Sequence, residues 1–172
     1  DRLAPSLVMV GFDMPYSVSG VTEKHYHGTG LIVDARRGLV VVDRNTVPVS
    51  MGDIHLTFGG TVEVPGRVVF VHPLHNLAMI AYDPASIGDT PVRAAMLSSK
   101  ELRSGDDVWA IGLRDDLKLM SQKTQVSSVD AVAFPLSSTL RFSDSNLEVV
   151  SLVNPPHDYG GVLANERGEV QA

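Results

Sequence analysis

Apolar residues in this chain come in short bursts. Leu7–Val10, Leu31–Val33, Leu39–Val42, Val68–Val71, Leu77–Ile80 and Val149–Val153 are rich in Val, Ile and Leu, and Gly, Pro, Asn or Asp stand between them. Branched side chains fit a pleated strand better than a helix, and turn residues at this spacing cut a chain into strands. Strict alternation over Asp53-Ile54-His55-Leu56-Thr57-Phe58 and Thr61-Val62-Glu63-Val64 predicts strands with one face in a core and one in solvent. Helical periodicity is scarce. Ser98–Leu102 is expected to form a single helical turn with Ser98 as its N-cap. The pattern predicts an all-β barrel or sandwich.

Composition narrows this further. A length of 172 residues, 44% of them hydrophobic, with 15 Gly and 10 Pro, suits one domain or two small barrels joined by many turns. The net charge of −6 and the absence of a basic stripe disfavour nucleic acid as a partner. Arg36-Arg37 before Gly38 is expected at a solvated hairpin tip. Every apolar run falls far short of the ~20 residues of a membrane span, and no signal peptide is visible. The chain has no cysteine, which removes disulfides, thiolate metal sites and a cysteine nucleophile. Gly28-Thr29-Gly30 lacks the lysine and the helix of a phosphate cradle.

The histidines fall in three places: His25 and His27 on one face of a predicted strand, His72 and His75 about a Pro-Leu turn, and His157. Three imidazoles, or imidazoles with Asp158, are competent zinc ligands. Their surface settings argue against a site, so neither metal nor cofactor is expected. Among Asp53, Asp83, Asp89, Asp106, Asp115 and Asp144 no spacing marks an acid/base dyad. Trp109 is expected in core or inter-barrel packing. Phe134-Pro135-Leu136 reads either as an exposed apolar contact or as a buried loop anchor.

Five motifs in order carry a resemblance. Gly28-Thr29-Gly30-Leu31-Ile32-Val33, Gly38-Leu39-Val40-Val41-Val42-Asp43-Arg44-Asn45, His72-Pro73-Leu74-His75-Asn76-Leu77-Ala78, Gly105-Asp106-Asp107-Val108-Trp109-Ala110-Ile111-Gly112 and His157-Asp158-Tyr159-Gly160-Gly161 span most of the chain. In sequence and order they resemble the trypsin-like proteases of the HtrA (DegP) family. The last segment matches that family's Gly-Asn-Ser-Gly-Gly loop, which carries the nucleophile.

The resemblance implies a chymotrypsin/trypsin-like double β-barrel. The first barrel would span about residues 5–83, the linker 84–91 and the second barrel about 92–172, with a cleft between the barrels. It also implies what has been replaced: Asn45 stands at the general-base position, Asn76 at that of the orienting aspartate, and Tyr159 at that of the nucleophilic serine. His157 stands at an oxyanion-loop glycine. A carboxamide has no nitrogen that accepts a proton, and a phenol does not substitute for a seryl hydroxyl. At His157 the positive φ of the family's glycine would be costly.

No catalytic residue is therefore assigned, and the chain is expected not to be an enzyme, although a parent protein could be a serine protease through another domain. The pattern is similar to the second, degenerate protease-like domain of long PDZ-containing HtrA-type proteins. That resemblance implies a pseudoprotease with a structural, assembly or regulatory role, in an excerpt of a longer chain followed by a PDZ domain. The alternative is a module that binds peptide in the vestigial cleft. Expected partners are other domains of the same protein, a second copy, or unfolded protein and peptide. The compartment stays open: the periplasm is favoured for a bacterial protein, an organelle or the nucleus for a eukaryotic one.

Overall fold

The computed structural model describes residues 2–16, 24–73, 75–131 and 148–172. Phe134-Pro135-Leu136 and Asp144 lie outside them. The alternating and apolar segments form ten strands among the described residues: β1 (Leu7–Asp13), β2 (His25–Asp34), β3 (Leu39–Val42), β4 (Asp53–Phe58), β5 (Val62–Val71), β6 (Ala78–Tyr82), β7 (Asp107–Leu113), β8 (Leu119–Ala131), β9 (Glu148–Leu152) and β10 (Gly160–Ala164). The first six close into an antiparallel barrel in the order β1-β2-β3-β6-β5-β4, and the last four form a half-barrel sheet in the order β10-β7-β8-β9.

The barrel forms because its alternating apolar positions point inward. Val8, Val10 and Phe12 from β1 meet Ile32, Val40, Leu56, Phe58 and Ile80, all essentially inaccessible to solvent. At about 25 cal/mol per Å² of apolar surface removed from water, such side chains dominate the stability of the half that holds them. The turn between β2 and β3 leaves Arg36 and Arg37 exposed, as its sequence predicts.

A second apolar cluster joins the two halves. Leu3, Leu7 and Leu31 from the first pack with Ala164 and Val170 from the second, and Ile111, Leu113 and Val162 lie against them. The connection runs through a 3-10 turn at Pro84–Ile87, whose Asp83 side chain accepts from the Ala85 N–H at 3.0 Å. It then zips the halves together. Arg93 N–H donates to Pro5 O, Ala95 N–H to Ile32 O, and Val170 N–H to Met96 O.

This zipping corrects the expected turn at Ser98–Leu102. No helical turn forms there, because Ser98 N–H donates to Val170 O at 2.8 Å and Leu97 bridges Val170 in parallel. Ser98 Oγ still accepts from Lys100 N–H, at 3.1 Å, so the local cap exists without its helix. Trp109 is only half-buried and belongs to neither apolar cluster.

Candidate functional site in the inter-sheet cleft

At the end of β3, Asp43 folds the chain into a tight turn. Its carboxylate accepts from Thr46 N–H at 2.8 Å and its carbonyl from Val47 N–H at 3.1 Å. Thr46 and Val47 anchor the turn in the core, while Asn45 is left exposed at its tip. The loop between β5 and β6 docks on this turn: Asn76 Oδ1 accepts from Arg44 N–H at 2.7 Å. His75 N–H donates to His72 Nδ1 at 2.9 Å, which fixes the approach to Asn76. Two segments 32 residues apart in sequence are thereby held together.

Glycines set how closely the walls approach. A Cβ on Gly28 would lie 2.0 Å from Thr46 Oγ1, so β2 passes directly beneath the Asn45 turn. Across the cleft, a Cβ on Gly112 would lie 1.8 Å from Gly160 O, and one on Gly161 would lie 2.0 Å from Ile111 O. Of the Gly-Gly pair that marks the nucleophile-like loop, Gly161 is thus required by its pairing with β7, whereas a Cβ on Gly160 would meet nothing within 4 Å.

Thr29 joins the two halves at this point, a role that sequence reasoning missed. Its hydroxyl donates to Gly160 O at 2.9 Å and accepts from Leu113 N–H at 2.8 Å. The polar residue between Gly28 and Gly30 was the one signal available.

These walls enclose a cavity of about 400 Å³ that opens between the halves. Asn45, Asn76, Thr29, Gly160 and Gly161 line it, above apolar side chains such as Leu77 and Val162. Two of the four singled-out positions, Asn45 and Asn76, therefore share one cavity.

Tyr159 and His157 are not among its walls. The Tyr159 hydroxyl donates to Ala110 O of β7 at 3.0 Å, which satisfies the phenol within the second sheet. Burial raises the Tyr159 pKa, and the charge of Asp158 adds to the rise. His157 is exposed and avoids the costly conformation; among the described residues the one non-glycine with positive φ is Leu117. Its loop is tethered by Arg114, which pairs with Asp158 at 3.4 Å and with Asp116 at 2.6 Å. The hydrogen bond from Arg114 holds the Asp116 carboxyl well below the usual carboxylate range.

The remaining histidines lie apart from the cavity's centre or at its edge. His25 Nδ1 is 2.6 Å from Asp13 Oδ1, and the His72 and His75 ring centres lie 4.5 Å apart with the rings tilted by 50°. Among the described residues no group of three or more His, Asp or Glu side chains is placed to hold a metal ion.

No family model matches the chain. Protease Do-like 7 of Arabidopsis thaliana is 37% identical over 181 residues, covering 99% of this chain and 16% of that protein. Pro-apoptotic serine protease NMA111 of Pyricularia oryzae is 38% identical over 174 residues, covering 99% of this chain and 17% of that protein. Its homologues are HtrA-type, Do-like proteases.

The solved structures agree on the trypsin-like protease fold. The M. tuberculosis protease Rv3671c in its active form superposes with a TM-score of 0.68 at 16% identity, covering 98% of this chain and 69% of that one. The HtrA-type protease AlgW superposes with a TM-score of 0.67 at 18% identity, covering 98% of this chain and 50% of that one.

The names of these relatives overturn the expectation that the chain is not an enzyme, since the sequences it matches along almost its whole length are named serine proteases. That expectation let three side chains decide the class of a protein. The chain spans about a sixth of the length of the relatives it matches. What stands is that this is a protease-like domain.

Proposed function

We propose that the chain is a protease-type domain of an HtrA-type serine protease, and that its share of the work is to hold extended polypeptide in the inter-sheet cleft. The observation that carries this reading is the unplugged cavity of about 400 Å³ beside Asn45 and Asn76. An apolar floor with a few placed polar groups is the usual make-up of a ligand site. Here the floor takes an apolar side chain. The Asn45 carboxamide, which both donates and accepts, suits a peptide backbone.

Titration of the isotope-labelled protein with an unlabelled casein fragment tests the binding. The reading expects saturable shifts at the Asn45 and Asn76 side-chain amides and at the Gly160 and Gly161 backbone. Shifts scattered over the surface, or none, contradict it. The enzymatic part concerns the whole protein, which is expected to cleave casein and to take up a fluorophosphonate probe; failure in both contradicts that part alone.

An assembly role, through other domains of the same protein, a PDZ domain among them, or through a second copy, is favoured by one feature. Met96 and Leu97 are adjacent apolar residues with 61% and 65% of their surface exposed. Sedimentation with and without Met96→Ser and Leu97→Ser tests it; unchanged size distributions contradict it.

A further inference from the structure

A second pocket lies away from the cleft, where the segment before β1, the connection between the halves and the turn after β10 meet. Its volume is about 330 Å³, and Arg2, Ser6, Arg93, Arg167 and Gly168 are among its walls. Three arginines converging on one concavity are unexpected in a chain of net charge −6.

Their charge is poorly compensated. Arg167 pairs with Glu169 at 3.1 Å. Arg2 and Arg93 have no carboxylate within ion-pair distance among the described residues. The Arg93 guanidinium instead donates to the Arg2 carbonyl, which ties two walls together. Ser6 adds a polar side chain to the same wall. It is 2% exposed.

We propose that this pocket binds a compact oxyanion, a carboxylate or a phosphate, carried on a peptide. Guanidinium groups recognise both oxyanions through paired N–H donors, and the Ser6 hydroxyl adds a donor at the pocket floor. The volume exceeds that of an oxyanion alone, so it admits the residues that carry one; it sits at the lower end of the ~300–1,000 Å³ of ordinary ligand sites. The walls come from both halves of the fold and from the connection between them. An occupied pocket therefore fastens the junction between the halves.

The test uses two probes at constant ionic strength: inorganic phosphate and the blocked dipeptide N-acetyl-Glu-Glu-amide. Amide shifts of the isotope-labelled protein are followed. Saturable shifts at Ser6, Ala94, Ala95 and Gly168 are expected with at least one probe. Saturation by phosphate alone assigns the site to phosphorylated peptide, and saturation by the dipeptide alone assigns it to acidic peptide. Arg93→Gln is expected to weaken binding at least about tenfold, as the loss of a charged hydrogen bond implies. Since Arg93 also ties two walls, Arg2→Gln and Ser6→Ala are measured beside it and are expected to weaken binding in the same direction. Absence of saturation with both probes overturns the proposal, as does saturation that all three variants leave unchanged. Peptide binding in the cleft is read at Asn45 and Gly161, so the two sites succeed or fail separately.

Discussion

Thr29→Val removes one hydroxyl and keeps the shape of the side chain, which makes it the cleanest probe of how the two halves are joined. The Thr29 proton points to Gly160 O at 2.9 Å rather than to the more distant Leu113 O at 3.3 Å, while the oxygen accepts from Leu113 N–H at 2.8 Å. Two hydrogen bonds are therefore made at once. At about 1 kcal/mol net for each, and with the site partly open to water, the substitution is expected to cost about 1–2 kcal/mol. Urea unfolding reads this as a fall in the midpoint with an unchanged slope. Thr57→Val, on a half-exposed face of β4 with no side-chain hydrogen bond, is the control and is expected to stay within about 0.5 kcal/mol of the parent. A Thr29→Val protein no less stable than the Thr57→Val control would refute the claim that this hydroxyl joins the halves.

Gly112→Ala places a methyl group against Gly160 O and is expected to cost at least about 2 kcal/mol in urea unfolding, because backbone must move to admit it. Tyr159→Phe removes the donor to Ala110 O and is expected to cost about 1 kcal/mol by the same measurement. The folded-state Tyr159 pKa is raised, so its contribution is complete below about pH 10 and is lost as pH rises through the folded value; Tyr159→Phe is expected to remove that alkaline loss. Asp116 titrates the other way: its folded pKa is depressed by Arg114, so its pairing is complete above about pH 4 and is lost as pH falls through the folded value. The protection of the Tyr159 amide against hydrogen exchange, taken relative to an unfolded peptide at the same pH, is expected to fall in that acid range, and an Arg114→Gln protein is expected to show no such change.

The barrel was legible in the sequence because a strand with one buried face must alternate. The β4 segment does so from Asp53 to Phe58, and its boundaries agree with the observed strand. The cavity was half legible. Asn45 and Asn76 stood in motifs whose order placed them together, and they share a wall. The direction of Tyr159 was not legible, since its partner is a backbone carbonyl 49 residues earlier, and a carbonyl leaves no mark in a side-chain pattern. Thr29 escaped for the same reason, with partners 84 and 131 residues away. Ser98 carried a true local signal, yet pairing with Val170 offered the backbone a better set of partners than one isolated turn.

The central claim is that the cavity beside Asn45 takes up polypeptide. Asn45 is exposed at the tip of its turn, so Asn45→Trp fills the cleft without disturbing the core. The decisive measurement is the fluorescence anisotropy of a dye-labelled casein fragment titrated with the parent and with Asn45→Trp, the urea midpoint of each being recorded alongside. The account predicts saturable binding by the parent and at least a tenfold weaker affinity for Asn45→Trp at an unchanged midpoint, the loss of about 1.4 kcal/mol that a blocked apolar floor implies. Equal affinity of the two proteins would show that polypeptide, if it binds, binds elsewhere.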